Sequence, residues 1–141
     1  MRKYLTFSIE NNIYGVDLEL VKEISSNVKI TLVDYISKGF LGLLNLRGNV
    51  ISIFQFYFLY NRKQKFSSKL NKLILLKKSD KVPEIFGFVV DEVLEIIDFD
   101  EEFVNLDVLN TGIPDNSFIK KVICSKNNVF IIDIEKFINK A

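Results

Sequence analysis

The run FLGLLNLRGNVISIFQFYF, residues 40–58, constrains the fold of this chain more than any other feature. It is the most apolar stretch of the sequence, yet its middle carries Asn45, Arg47 and Gly48. Aliphatic residues on either side favour burial, whereas Asn-Leu-Arg-Gly favours a surface turn in which Gly48 takes a positive φ. From Val50 onward, apolar side chains fall on both faces of an extended strand, which is typical of a central strand. The run therefore predicts a core hairpin whose arginine points outward.

The rest of the chain predicts more short strands, separated by turns at intervals of roughly 8–12 residues, as in sandwiches and barrels. Alternating or continuous apolar runs give these further strands, listed by residue number: 3–10, 13–16, 28–32, 70–76, 85–90, 93–97, 118–124 and 129–132. The polar, basic segment 61–69 predicts a surface linker, and the acidic segment 98–116 predicts a long surface loop. Little helix is expected, so the sequence indicates an all-β fold.

Segments 11–19 and 127–135 match each other position by position. Each has two asparagines, a short apolar run, an aspartate, an isoleucine or leucine and a glutamate. Asn11-Asn12 is predicted to form a tight turn, Asp17 to cap a helical turn at 18–21, and Asp133 to cap a final helix at 134–140. The match arises either from an internal repeat or by chance in an asparagine-rich chain.

Composition indicates one domain with ample core material, since 48% of the 141 residues are hydrophobic. No apolar run reaches the ~20 uncharged residues of a membrane span, and the start of the sequence lacks the apolar core of a signal peptide. Cys124 is the single cysteine and cannot form an internal disulfide. These features predict a reduced, cytoplasmic protein. Residues 1–70 carry a formal charge of +5 and residues 71–141 of −4, which indicates a polarised molecule.

Catalysis is not expected from this sequence. The chain has no histidine and one cysteine, so it lacks the usual nucleophile–base pairs and zinc clusters. Its acidic run lacks the spacing of a calcium loop, and no glycine-rich phosphate loop is present. No catalytic residue, cofactor or metal site is therefore predicted. Two function classes remain: protein docking, or a small β-barrel nucleic-acid-binding module that uses the basic tract 62–72 with Phe66.

Four segments, taken in order, resemble the CheW family of chemotaxis coupling proteins: IYGVDLELVKEI, GLLNLRGNVISIF, FGFVVDEVLEI and VFIIDIEKFI. Their order and separation fit that family over residues 4–138. The chain departs from the family pattern at Ser52, where proline is usual, at Gln55, where aspartate is usual, and at Lys121, where glycine is frequent. These departures leave open two other functions, a receptor–kinase decoy and an adaptor for another sensory array.

The resemblance implies one domain over residues 1–141, built from two small five-stranded SH3-like barrels packed over a shared hydrophobic core, with a short C-terminal helix. Subdomain one would hold residues 15–65 plus the C-terminal end, and subdomain two residues 66–125. The implied function is a non-enzymatic adaptor. It would couple the cytoplasmic tip of methyl-accepting chemoreceptors to the regulatory domain of a CheA-type histidine kinase, at receptor clusters under the inner membrane. Neither membrane insertion nor nucleic-acid binding is implied.

The resemblance also implies a set of partner-binding positions. Three are aliphatic, three are polar or charged, and three are glycines whose bare backbone would let a partner approach. They are Val21, Val93, Ile96, Glu23, Asn45, Arg47, Gly42, Gly48 and Gly87. Because a charge among aliphatic residues is usually paired or functional, Glu23 is the expected acid if Arg47 pairs within the protein.

Overall fold

The computed structural model describes residues 2–33, 39–56, 72–79, 84–99, 118–124 and 127–140. Within these ranges the chain forms eleven strands, one 3-10 turn at Leu18–Leu20 and one helix, α1, at Ile134–Lys140. The strands are β1 Arg2–Ile9, β2 Asn12–Asp17, β3 Val21–Ser26, β4 Thr31–Leu32, β5 Phe40–Leu46, β6 Asn49–Phe54, β7 Lys72–Lys77, β8 Ile85–Val90, β9 Glu92–Phe99, β10 Ile119–Cys124 and β11 Asn128–Ile132. The all-β class is confirmed. The predicted linker at 61–69 and most of the predicted loop at 98–116 lie outside the described residues.

The strands form two sheets. The end sheet, from both ends of the chain, has five strands in the order β10-β11-β2-β1-β9, and the middle sheet has six in the order β3-β7-β8-β6-β5-β4. The chain passes between the sheets at residues 18–20 and at Asp91. β7 pairs with β3 and β8 pairs in parallel with β6, so both strands belong to the middle sheet. The division into subdomains 15–65 and 66–125 stays a prediction. The termini do come together, since β11 pairs in parallel with β2.

The largest hydrophobic core is shared by the two sheets and by α1. Its centre is aromatic. Phe7 and Tyr14 of the end sheet lie against Phe88 of β8 and Phe56, which follows β6. The ring centroids of Phe56 and Phe137 of the helix are 4.1 Å apart. A smaller cluster covers the opposite face of each sheet. Each sheet thus buries both faces, and the predicted shared core is confirmed.

Two tight turns have positive φ at both central residues, as a type I′ hairpin requires. Arg47 and Gly48 have φ values of 51° and 85° between β5 and β6, which confirms the predicted turn. Glu10 and Asn11 have φ values of 51° and 68° between β1 and β2. This second turn lies one residue before the predicted one, because Asn12 already pairs with Ile9 as the first residue of β2.

The two matching segments lie side by side. β2 and β11 are parallel neighbours, and their register pairs Ile13 with Val129 and Tyr14 with Phe130. This register reproduces the sequence match without an offset. The repeated pattern therefore corresponds to a repeated position in the end sheet.

The aspartates that end these two segments differ in role. Asp133 caps α1, because its carboxylate accepts a hydrogen bond from the backbone N–H of Lys136 at 3.2 Å. Asp17 makes no such cap bond to the 3-10 turn. Its carboxylate instead accepts hydrogen bonds from Lys120 at 2.8 Å and Arg2 at 3.3 Å. The cap predicted for Asp17 is therefore wrong, since two nearby cations take the carboxylate.

The sequence pattern does not predict strand β3. Of the predicted strand 28–32, only Thr31–Leu32 forms a strand. A register shift between Val21 and Glu23 interrupts the alternation of β3, so its sequence pattern is unclear. Ile30 is buried although it lies outside the strand. No helix of the described residues is long and apolar enough to cross a membrane.

Candidate partner-binding surfaces

Arg47 lies at the tip of the β5–β6 hairpin and contacts the acid that the sequence suggested. Its guanidinium donates a hydrogen bond to the Glu23 carboxylate at 2.8 Å. The Arg47 side chain is 72% exposed and that of Glu23 is 35% exposed. An ion pair this exposed stabilises a fold by about 1 kcal/mol at most. Arg47 and Glu23 therefore form an ion pair, but the pair is too exposed to contribute much to the stability of the fold.

The same ion pair shows that the middle sheet is curled. Glu23 belongs to the edge strand β3, three strands away from β6 in the sheet order. In a flat sheet those strands would lie roughly 14 Å apart. Glu23 lies opposite Leu75 of β7, and the two side chains face the same side of the sheet. We call the smaller cluster on that side, which contains Leu75, the inner cluster. The Arg47–Glu23 pair therefore lies at the open end of the curl, over this inner cluster.

Val50 and Asn45 form an exposed pair near this tip, on the opposite face of the hairpin from the cluster that contains Leu44 and Ile51. They are directly opposite each other on β5 and β6, so their side chains share a face. Val50 is 67% exposed, although the alternation of the strand predicted its burial. The reason is that β8 pairs with β6 only from Ser52 onward, which leaves the start of β6 uncovered. We call Glu23, Asn45, Arg47, Gly48 and Val50 the hairpin surface.

Val93 and Ile96 lie on β9, the outer edge of the end sheet. They are three residues apart, so regular alternation would put them on opposite faces. A register shift opposite Thr6 changes this: Val93 pairs with Phe7 and Ile96 pairs with Leu5, and both partners belong to the shared core. The bulge brings Val93 and Ile96 to one face, where Val93 is half-buried and Ile96 is 54% exposed.

β3 presents a similar pair at the edge of the middle sheet. Val21 pairs with Leu76 and Ile24 pairs with Ile74, and again both partners belong to the shared core. Val21 packs against that core, and Ile24 is 50% exposed. Sequence reasoning missed Ile24, because the bulge that turns it to this face leaves no mark in the sequence. We call Val21, Ile24, Val93 and Ile96 the core-margin surface.

At two of the glycines predicted to bind a partner, other parts of the chain pack closely against the backbone. Gly42 is buried, and a Cβ there would lie 2.1 Å from the carbonyl oxygen of Thr31. Gly87 is buried too, and a Cβ there would lie 2.6 Å from the Leu75 side chain. The space beside each of these two glycines is therefore filled by atoms of the chain itself. Gly48 has no heavy atom within 4 Å of the corresponding position and remains part of the hairpin surface.

Other residues that the sequence analysis singled out lie in paired strands or make contacts of their own. Ser52 and Lys121 belong to paired strands, and the backbone N–H of Gln55 donates to the Gly39 carbonyl. Of the basic tract 62–72 only Lys72 is described, and it forms an ion pair with Glu92 across the two sheets. Within the described ranges, no three His, Cys, Asp or Glu side chains form a group that could hold a metal ion.

Comparisons with known proteins agree with this architecture. The family model of the CheW-like domain matches residues 3–141. The crystal structure of the scaffolding protein TtCheW from Thermoanaerobacter tengcongensis superposes with a TM-score of 0.77 at 26% sequence identity, covering 93% of this chain and 88% of that one. Curated proteins gave no significant sequence match. With two sheets over a shared core and a family model that spans nearly its whole length, the chain belongs to the CheW-like domain family.

Proposed function

We propose that this protein is a non-enzymatic adaptor that couples the tips of chemoreceptors to a CheA-type histidine kinase. Membership of the CheW-like domain family and similarity to a scaffolding protein support this. The observation that carries it is the backbone of Arg47, which has a φ of 51° at a solvent-exposed turn.

Turn chemistry does not favour arginine at this position. A non-glycine residue with such a φ costs roughly 1–2 kcal/mol, and type I′ turns prefer asparagine before glycine. The exposed ion pair with Glu23 offsets about 1 kcal/mol at most. Arg47 therefore adds little or nothing to folding. Binding a partner accounts for the guanidinium.

The two surfaces fit two different partners. The hairpin surface presents an exposed arginine, a residue type that is enriched among the contacts that dominate protein interfaces, and an exposed valine near it. It would contact the regulatory domain of the kinase, a domain of similar barrel build. The core-margin surface is a set of aliphatic side chains on two edge strands, suited to the apolar face of a receptor helix. The protein would contribute binding energy that fixes the geometry of the kinase, and would carry out no reaction.

Arg47→Asn tests the role of the guanidinium without damaging the turn. Asparagine before Gly48 is the preferred type I′ pair, so we expect the melting temperature to stay the same or rise. Binding to the kinase regulatory domain should weaken by at least about thirtyfold, which corresponds to roughly 2 kcal/mol. Calorimetric titration gives the affinity, and a thermal melt of the same sample gives the stability.

Glu10→Asn is the matched control. Glu10 has the same φ of 51° in the other tight turn and is not part of the hairpin surface. It should alter stability as Arg47→Asn does and leave the affinity for the kinase unchanged. If Arg47→Asn melted early yet bound normally, Arg47 would be a structural residue. If the unmodified protein bound neither a receptor fragment nor the kinase domain in co-sedimentation, the adaptor function itself would be rejected.

A further inference from the structure

The end sheet holds a cavity that is separate from the hairpin surface and the core-margin surface. Its volume is about 640 Å³. It shares Ile123 and Val129 with the small cluster on the face of that sheet opposite the shared core. Every strand of the end sheet contributes to the lining. The apolar part of this lining consists of Ile13, Leu94, Ile97, Phe99, Ile123 and Val129.

The cavity exists because the end sheet is curled. β9 and β10 are the two edges of that sheet, and in a flat sheet they would lie roughly 19 Å apart. Ile97 of β9 and Ile123 of β10 nevertheless line the same cavity, so the sheet curves around it. The space is therefore the mouth of a curled sheet, and the mouths of β-barrels are frequent places for ligand sites.

A bulge in β9 brings an acidic side chain to this mouth. Leu94 and Glu95 together lie opposite the single residue Thr6, and both line the cavity, whereas neighbours in a regular strand face opposite sides. The buried Thr6 hydroxyl donates a hydrogen bond to the backbone carbonyl of Glu95 at 2.5 Å, which holds the bulge in place. Bulges of this kind re-aim side chains at the rims of barrels.

The charge of the lining has one sign. Glu95 and Asp98 both line the cavity and are exposed to solvent. Among the described residues, no lysine or arginine lines the cavity, and neither of these carboxylates forms an ion pair. The mouth therefore combines an apolar wall with two carboxylates that are available to a cation from outside the protein.

We propose that this cavity binds a small organic cation, with its apolar body against the aliphatic wall and its ammonium group beside Glu95 and Asp98. The volume lies within the range of roughly 300–1,000 Å³ that is usual for small-molecule sites. Burial of the apolar body supplies affinity, and the carboxylates select a positive charge over a neutral or negative group. This binding does not depend on the adaptor function.

Two ligands with the same carbon skeleton test the proposal. Phenylbutylamine carries a positive charge at neutral pH, and phenylbutanol carries none. In an NMR titration of the isotope-labelled full chain, each should give saturable shifts at amides that line the cavity, such as those of Ile13, Ile97 and Val129. At low salt the amine should bind at least about fivefold more tightly than the alcohol, and added salt should reduce this difference.

Neutral variants of the two acids separate charge from shape. Glu95→Gln with Asp98→Asn should lower the affinity for the amine to that for the alcohol and leave the affinity for the alcohol unchanged. Glu19→Gln with Glu84→Gln is the matched control, because it removes the same charge from exposed residues outside the lining. Both double variants should melt close to the unmodified protein, since all four positions are exposed.

Several results would overturn the proposal. The absence of saturable shifts at millimolar ligand would show that the cavity is closed or filled in solution. Equal affinities of the amine and the alcohol would show that the carboxylates select nothing. An equal loss of amine affinity in the control variant would reduce the effect to the overall charge of the protein. Shifts confined to residues outside the lining would place the binding elsewhere.

Discussion

Gly42 lies where β5 pairs with the short strand β4, and the backbone of Thr31 occupies the space where a side chain would be. Gly42→Ala should therefore force β4 away from β5. Because the obstructing atom belongs to the backbone, we expect a loss of about 1–3 kcal/mol in the free energy of unfolding, toward the upper end of that range. Urea unfolding measures it, with exposed Asn45→Ala as a control that should lie within ~0.5 kcal/mol of the unmodified protein. If Gly42→Ala left the free energy of unfolding unchanged, β4 would be able to move away from β5 without a cost in stability.

At the scale of single residues, the sequence predicted which residues form a turn or an ion pair better than it predicted how exposed each side chain is. The turn at Arg47-Gly48 and the pairing of Arg47 with Glu23 both follow from residue types that are recognisable in the sequence. The exposure of Val50 does not, because it depends on where the neighbouring strand β8 begins to pair. The role of Gly42 was also predictable only in part: a bare backbone is needed there, but it faces the chain itself.

At the scale of the strand, the sequence pattern predicted most elements and missed the irregular ones. Regular strands such as β8 and β11 alternate or run continuously apolar, and they were expected within a residue of their true ends. β3 and β9 each contain or face a bulge, which changes the face on which later side chains lie. Most of the core-margin surface depends on these two bulges. Alternation alone would have separated Val93 from Ile96.

The matched aspartates offer a test at the scale of the element. Serine is about as good a helix cap as aspartate, so Asp133→Ser should change the free energy of unfolding by less than ~0.5 kcal/mol. Asp17→Ser removes a carboxylate that joins β2 to Arg2 and Lys120, and the loss of charged hydrogen bonds should cost about 1.5–3 kcal/mol. Urea unfolding of the two variants provides the comparison. Equal changes in the free energy of unfolding would show that the two aspartates stabilise the fold equally despite their different contacts.

At the scale of the molecule, the sequence could not reveal how the chain divides between the sheets. The all-β class followed from many short strands, and the aromatic-rich composition indicated a large core. The assignment of β7 and β8 to the middle sheet depends on the pairing of β7 with β3 and of β8 with β6, which are contacts between segments separated by many residues. Such long-range pairing is determined by the packing of the shared core and leaves no periodic signal in either strand.

The shared core also predicts how the protein unfolds. Phe88 of the middle sheet is fully buried and packs against Phe7 of the end sheet. Phe88→Ala should lower the free energy of unfolding by about 3–5 kcal/mol. Because both sheets bury side chains in the same core, the amides of β1 should lose as much protection from hydrogen exchange as those of β7. Loss of protection in β7 alone would show that the two sheets unfold independently. Val50→Ala, at an exposed position of the same sheet, should leave exchange unchanged in both strands.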